Sequence, residues 1–271
     1  MKHRLVAIDM DGTLLNSEKK ISEKTVMAVR KAVEKGLIIT ICTGRPIKGI
    51  APYIETLGLD IPFMAYNGAL IVMGKSGEII FKQCLEPDDA RAVFSWGKKF
   101  GTTIVAWTTE GLIDTLHASA FNTDLEVYRQ YSHAVPVLIR DEEALIRTGI
   151  TKILFADSSD RIAVFEKTLR ESGDLKVDFY TSQPEYLEFM DKRASKAFAM
   201  ARMGERFGIK REEMVAIGDG FNDVSMIEYA GLGVVMENAP EELKTKADYV
   251  TLSNDDDGVA YVLEKIMLNE I

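Results

Sequence analysis

Uninterrupted apolar runs that stop at an acid or a glycine recur along this chain. Leu5-Val6-Ala7-Ile8 ends at Asp9. Leu37 to Cys42 ends in Thr43-Gly44-Arg45-Pro46, and Met214-Val215-Ala216-Ile217 ends in Gly218-Asp219. Short runs rich in Val and Ile, with no polar alternation, predict strands covered on both faces, as in a parallel sheet. Between the first two runs, Val26, Val29, Ala32 and Val33 fall on one helical stripe, with Ser22 placed to cap the helix and Gly36 to end it. Strand, helix, strand in this order predicts a doubly wound, mostly parallel, Rossmann-like α/β sheet. Pro62 to Tyr66 supplies a further strand, and Ala69 to Val72 with Glu78 to Phe81 a hairpin.

From about Cys84 to Pro184 the pattern changes. Short strands (Thr103–Trp107, Leu112–Leu116, Val135–Ile139, Thr151–Ala156, Lys176–Thr181) alternate with helices near 87–100, 120–131, 142 and 159–171. This predicts an inserted α+β unit with its own core. The expected division is therefore 1–83 with 185–271 as one domain and 84–184 as the other, Tyr186–Met190 being a strand that leads back to the first sheet. The segment Ser195–Phe207 reads as a helix with Lys196 in its first turn and Gly208 at its end. A lysine there opposes the helix dipole, which makes sense beside an anion.

The 271 residues are 46% hydrophobic, enough for a large core, and the net charge of -9 argues against nucleic acid as a partner. No apolar run reaches membrane-spanning length, and Met1-Lys2-His3-Arg4 leads straight into a strand, so a cytoplasmic protein with no membrane partner is expected. Two cysteines, Cys42 and Cys84, fit free thiols of a reducing compartment. The three histidines are scattered without metal-ligand spacing. Gly74-Lys75-Ser76 lacks the first glycine of a P-loop and lies between two strands, so it is set aside. Asp255-Asp256-Asp257 reads as solvated surface and helix capping.

The remaining chemistry sits at strand ends, where a parallel sheet places its ligands. Asp9, Asp11, Asp219 and Asp223 would bring four carboxylates together, and a bound phosphate would add more negative charge. Such a group needs a divalent cation and a basic side chain. Mg²⁺ suits an all-oxygen set that also holds phosphate, and Lys196 is the basic group at a motif-like position. Thr43, Gly44 and Asn222 are neutral donors for phosphoryl oxygens.

These stretches resemble the four motifs of the haloacid dehalogenase superfamily. Asp9-Met10-Asp11-Gly12-Thr13 resembles the first, Thr43-Gly44-Arg45 the second, Lys196 the third, and Gly218-Asp219-Gly220-Phe221-Asn222-Asp223 the fourth. Tyr66-Asn67-Gly68-Ala69, Gly231 to Pro240 and the insert between motifs two and three are similar to the Cof-type sugar-phosphate phosphatases. The resemblance implies a Mg²⁺-dependent phosphatase acting on small phosphomonoesters, sugar phosphates or phosphorylated cofactors, through an aspartyl-phosphate. It implies Asp9 as nucleophile and metal ligand, and Asp11 as general acid/base with its backbone carbonyl on the metal. Asp219 and Asp223 would complete the metal site, Asp223 directly or through water. The backbone of Met10, Thr43, Gly44, Lys196 and Asn222 would hold the phosphoryl group. Arg45 and Asn67 would contact substrate, under a cap that selects it. The family often has glycine after the motif-three lysine; here it is Ala197, with Lys192 as the other candidate lysine. A phosphosugar mutase and a non-catalytic phosphometabolite-binding protein are the alternatives, as monomer or homodimer.

Overall fold

The computed structural model describes residues 2–120 and 135–271. The expected helix at 120–131 and His133 lie outside the described residues. The chain divides into two compact units. The first comprises Met1–Arg45, Ile50–Phe81 and Ser195–Ile271, and the second Pro46–Gly49 and Lys82–Ala194.

The first unit is built on strands β1 (Leu5–Asp9), β2 (Ile38–Cys42), β3 (Pro62–Ala65), β4 (Leu70–Met73) and β5 (Ile79–Lys82). The other strands of its sheet follow the insert in the chain. The second unit contributes β6 (Thr103–Glu110), β7 (Ile113–Ala118), β8 (Val137–Leu138), β9 (Lys152–Ala156), β10 (Asp178–Gln183) and β11 (Tyr186–Met190). The first unit then resumes with β12 (Met214–Gly218), β13 (Leu232–Val235) and β14 (Tyr249–Val250).

The eight-stranded sheet runs β14-β13-β12-β1-β2-β3-β4-β5. Every pair from β14 to β3 is parallel, and β4 joins antiparallel to β3. β1 therefore lies in the interior of the sheet, and all five of its residues are buried, as are the five of β12. That explains the unbroken apolar runs: each side chain meets a helix layer whichever way it points. Leu5, Ala7 and Ala216 share a core with Ala199, Met200 and Met203 of the helix Lys196–Phe207, and with Met226 and Ile227 of the helix Val224–Tyr229. The helix Glu23–Glu34 is capped as expected, Ser22 accepting from the Thr25 N–H at 3.0 Å. The buried stripe is Thr25, Ala28, Val29 and Ala32, one position around from the apolar pattern.

The second unit is a six-stranded sheet, β10-β11-β9-β6-β7-β8, antiparallel except for β7 with β8. Ile104, Ala106, Ile153, Phe155, Leu187 and Phe189 pack in one core with Val93, Phe94, Leu145, Ile162 and Phe165, from the helices Pro87–Phe100, Glu142–Thr148 and Ser159–Ser172. Tyr186–Met190 pairs with β9 and β10 here rather than leading back to the first sheet, so this unit reaches Ala194, beyond the expected residue 184. The physical reason is visible in the strand itself. Leu187 and Phe189 enter the core while Glu188 points the other way, which is the half-polar alternation of an antiparallel strand. Strand Val137–Leu138 is also shorter than the expected Val135–Ile139. Among the described residues no helix is long and apolar enough to cross a membrane.

Candidate active site

Three carboxylates converge at the carboxyl ends of neighbouring strands. Asp9 closes β1; Asp219 follows β12 directly, and Asp223 lies in the turn that starts the next helix. β1 and β12 are hydrogen-bonded neighbours in register, Ile8 opposite Ile217, so their exits are side by side. One oxygen from each of Asp9, Asp219 and Asp223 lies within 4.8 Å of the others.

Lys196 enters this group from the first turn of its helix. It is buried, with its ammonium donating to Asp9 Oδ1 and Asp223 Oδ1 and lying 3.4 Å from the Cys42 carbonyl. The lysine that opposed the helix dipole is thus held by two carboxylates; Lys192 is exposed. Asp223 is held on its other oxygen as well: Oδ2 accepts the N–H groups of Asp219 at 3.1 Å and Gly220 at 2.9 Å. Asp219 Oδ1 accepts the Thr13 hydroxyl at 2.8 Å. Thr13 stands in the first motif but was not among the expected site residues. Its signal was its position one residue past a glycine that turns the chain. Gly12 has φ +83°, and a Cβ there would lie 2.2 Å from Asp219 Oδ2, so backbone runs directly against that carboxylate.

One ammonium faces three carboxylates. Burial pushes the Asp9 carboxyl up to about 7; Lys196 opposes that rise, while Asp223 and Asp219 add to it. Burial raises Asp219 too, against the Thr13 hydrogen bond, with Asp223 and Asp11 adding to the rise. Lys196 is shifted the other way: burial disfavours its charge, but Asp9 and Asp223 outweigh burial and keep it protonated. The site has more negative charge than its own lysine neutralises, and all its acidic donors are oxygens. Both properties suit a hard divalent cation.

Asp11 leaves the cluster. Its Oδ2 accepts from Arg45 Nε at 2.7 Å and its Oδ1 from Arg45 Nη2 at 2.5 Å and Lys19 Nζ at 3.2 Å. Partial burial disfavours its charge, but the Arg45 hydrogen bonds and charge, with Lys19, hold the carboxyl below the ordinary carboxylate range. Met10 is buried, and its carbonyl accepts the Leu15 N–H at 2.9 Å.

The loop after β2 is built from three segments. The Thr43 N–H donates to the Met64 carbonyl at 2.9 Å, so it belongs to the sheet ladder; its hydroxyl accepts the Arg45 N–H at 3.1 Å. The turn Tyr66–Gly68 closes over this loop, Asn67 N donating to Thr43 O at 2.9 Å and Tyr66 N to Arg45 O at 3.2 Å. A Cβ on Gly44 would lie 3.0 Å from Asn67 Oδ1, which places the Asn67 side chain over Gly44. Tyr66, Asn67 and Gly68 all have positive φ, and a Cβ on Gly68 would lie 2.3 Å from the Ser195 carbonyl. The same turn therefore touches the residue before Lys196. Asn222 is exposed beside Gly220.

Asp255 and Asp257 do more than face water: they tie down the loop after the first strand. Asp255 accepts the Ser17 N–H at 2.8 Å, and Asp257 accepts the Ser22 hydroxyl. In the second unit, Lys152 pairs with Glu188 at 3.2 Å on the sheet face away from the helices, and Ser182 and Tyr180 donate to the same carboxylate. No motif pointed to this pair.

The haloacid dehalogenase-like hydrolase family model matches residues 6–263. Over 265 residues the chain is 32% identical to 5-amino-6-(5-phospho-D-ribitylamino)uracil phosphatase YcsE of Bacillus subtilis, covering 98% of this chain and 96% of that one. The crystal structure of TM0651 from Thermotoga maritima matches with a TM-score of 0.86 at 31% identity, covering 97% of each chain. A haloacid dehalogenase-like hydrolase from Bacteroides thetaiotaomicron matches with a TM-score of 0.82 at 29% identity, covering 97% of this chain and 99% of that one.

Proposed function

The chain belongs to the haloacid dehalogenase-like hydrolases, and on that premise we propose that it is a Mg²⁺-dependent phosphatase of small phosphomonoesters, working through an aspartyl-phosphate on Asp9. The observation that carries this is the buried Lys196 bridging Asp9 and Asp223 beside Asp219 at adjacent strand ends. A nucleophilic carboxylate needs one oxygen fixed and the other presented. Lys196 fixes Asp9 Oδ1, and Oδ2 has no hydrogen-bond partner among the described residues.

Asp9 and Asp219, with the backbone carbonyl of Asp11, would hold the metal. Asp223 already accepts from one ammonium and two N–H groups, which favours a supporting role. Bound there, Mg²⁺ would supply positive charge to the phosphoryl oxygens. The Thr43 hydroxyl proton and the Gly44 N–H are donors without partners among the described residues, and with the N–H groups of Met10, Lys196 and Asn222 they would receive the remaining oxygens. The Thr43 N–H, committed to Met64, is no longer part of that set.

The chemistry then needs two carboxyls with separate tasks. Asp9 attacks phosphorus in line with the ester oxygen, and Asp11, having bound a proton from solvent against the pull of Arg45 and Lys19, gives it to that oxygen as the alcohol leaves. Asp11 next takes a proton from the water that attacks the aspartyl-phosphate, and phosphate is released. The second unit would act as the cap that excludes water and selects the alcohol. The substrate class is a phosphorylated sugar or sugar-like metabolite, in keeping with the ribitylamino-uracil phosphate named for the Bacillus subtilis relative.

Phosphate release from a panel of phosphomonoesters, with Mg²⁺ or with EDTA, tests this. Turnover should require the metal, and Asp9→Asn should fall by at least about 10³-fold while melting near the wild-type temperature. An active Asp9→Asn variant would end the proposal. Release of free phosphate, rather than phosphoryl return to a second hydroxyl, separates a phosphatase from a mutase.

A further inference from the structure

The cluster described above leaves one strong polar contact unused: the two-point contact of Arg45 on Asp11. We propose that Arg45 is a positioning residue for Asp11, not a substrate ligand, and that Asp114 of the second unit sets Arg45 through the strap that follows it. This rests on Asp11 being the general acid/base.

Arg45 grips both oxygens of one carboxylate, Nε on Oδ2 and Nη2 on Oδ1. A planar fork on a planar carboxylate fixes its orientation as well as its place, which a point charge such as Lys19 cannot do. Two of its five N–H groups are thereby taken, including the Nε–H that a two-point grip on a phosphate through that edge would need. The full fork favours the charged carboxylate, the form that takes a proton from water; when Asp11 carries a proton, one bond of the fork is given up and the other still aims the carboxyl. The residue is itself held: its backbone N–H donates to the Thr43 hydroxyl, its carbonyl accepts from the Tyr66 N–H, and its guanidinium carbon lies 5.7 Å from the centre of the Tyr53 ring.

The next four residues, Pro46–Gly49, belong to the second unit. There the Ile47 N–H donates to Asp114 Oδ2 at 2.6 Å, and Thr109 donates to Asp114 Oδ1 at 2.9 Å. Asp114 is 5% exposed. It is therefore a buried anchor for the peptide that begins one bond after Arg45. Pro46 stiffens the link, since its ring fixes φ. The path from Asp114 to Asp11 is short: one hydrogen bond, two residues of backbone and the arginine fork.

A misplaced general acid has a signature that a lost substrate contact lacks. Esters of poorly acidic alcohols need a proton on the leaving oxygen, while p-nitrophenolate leaves without one. We therefore compare kcat/KM, which reports the step that expels the alcohol, for p-nitrophenyl phosphate, phenyl phosphate and an alkyl phosphate such as ribose 5-phosphate. Arg45→Met should lose about 10- to 100-fold on the alkyl ester and less than about 3-fold on p-nitrophenyl phosphate. Arg45→Lys should resemble it, because lysine restores the charge without the fork. Asp114→Ala should show a smaller loss with the same slope. The Mg²⁺ concentration for half-activation should not move in any of them.

An equal loss on every ester, with a raised KM, would make Arg45 a phosphoryl or substrate ligand and overturn the proposal. A flat profile for Asp114→Ala alone would overturn the strap's part. Asp11→Asn is the control that separates the two levels. If it too shows no dependence on the leaving group, the acid/base role fails first. If it is steep while Arg45→Met is flat, only the positioning proposal fails. If Arg45→Met does not fold, Arg45→Lys and Asp114→Ala carry the comparison.

Discussion

Lys196→Met keeps most of the length of the side chain and removes its charge. In the wild type the side chain is 0% exposed and its ammonium serves both Asp9 and Asp223. Without it, three carboxylates face one another with no cation of their own. Breaking a buried ion pair from one side costs about 3–5 kcal/mol when the remaining charge stays charged. A carboxyl escapes part of that by binding a proton. Burial already pushes Asp9 up to about 7 despite Lys196, and losing the lysine moves it further in the same direction. The folded variant then binds more protons than the unfolded chain, so its stability falls as pH rises from the ordinary carboxylate range through 7 and beyond. Relative to wild type, the expected loss is about 3 kcal/mol at pH 8 and less than about 1.5 kcal/mol at pH 5.5. Urea unfolding in EDTA, followed by circular dichroism at both pH values, measures it. Adding Mg²⁺ at about 100 times its Kd should return up to about 2.7 kcal/mol at pH 8. A loss that ignores both pH and Mg²⁺ would mean that the lysine stem matters only for packing, and would refute the electrostatic account of the site.

Two further outcomes are expected. Gly12→Ala places a methyl group against the Asp219 carboxylate at a φ of +83° that alanine resists, so it should lose about 1–3 kcal/mol of stability and need more Mg²⁺ for half-activation, read from melts and metal titrations. His3 is buried with both ring nitrogens unpartnered among the described residues, and burial, with Lys2, lowers its pKa below 6.5. Its neutral form favours folding above 6.5, and that contribution is lost as pH falls from 6.5 toward the lowered folded value, at up to about 1.4 kcal/mol per pH unit. His3→Leu should flatten this acid limb of a urea-unfolding series, and an unchanged limb would assign it to other groups.

The convergence of Asp9, Asp219, Asp223 and Lys196 was legible because a parallel sheet writes its ligand edge into sequence: a doubly buried apolar run, then an acid. The interior α/β sheet was legible for the same reason. Partnerships between side chains were not. Asp11 and Asp9 are two residues apart, yet the strand ends at Asp9 and the chain turns at Gly12, so one carboxylate meets Lys196 and the other Arg45. Only the hydrogen bonds distinguish the two carboxylates. Thr43 looked like a backbone donor at a loop, but β3 extends far enough for Met64 to claim its N–H. The second unit was harder still. Its strands are antiparallel and half polar, so Tyr186–Met190 could be assigned to a sheet only from its pairing. Pro46–Gly49 lies apart in sequence from the rest of that unit, and nothing in its composition announces the bond to Asp114.

The placement of β1 has a consequence for biosynthesis. Its residues lie between β2, made soon after, and β12, whose Leu5 partner is Met214. During translation one edge of the N-terminal strand therefore waits, apolar and unpaired, until the ribosome has delivered the far half of the protein. At 5–20 residues per second that interval is roughly 10–40 s. Throughout it the nascent chain has Asp9 but not Asp219 or Asp223, and Lys196 is made only near its end, so a premature release or a stalled ribosome yields a sticky, inert fragment. A chaperone that shields that first strand would guard the yield of this enzyme more than one acting after synthesis ends.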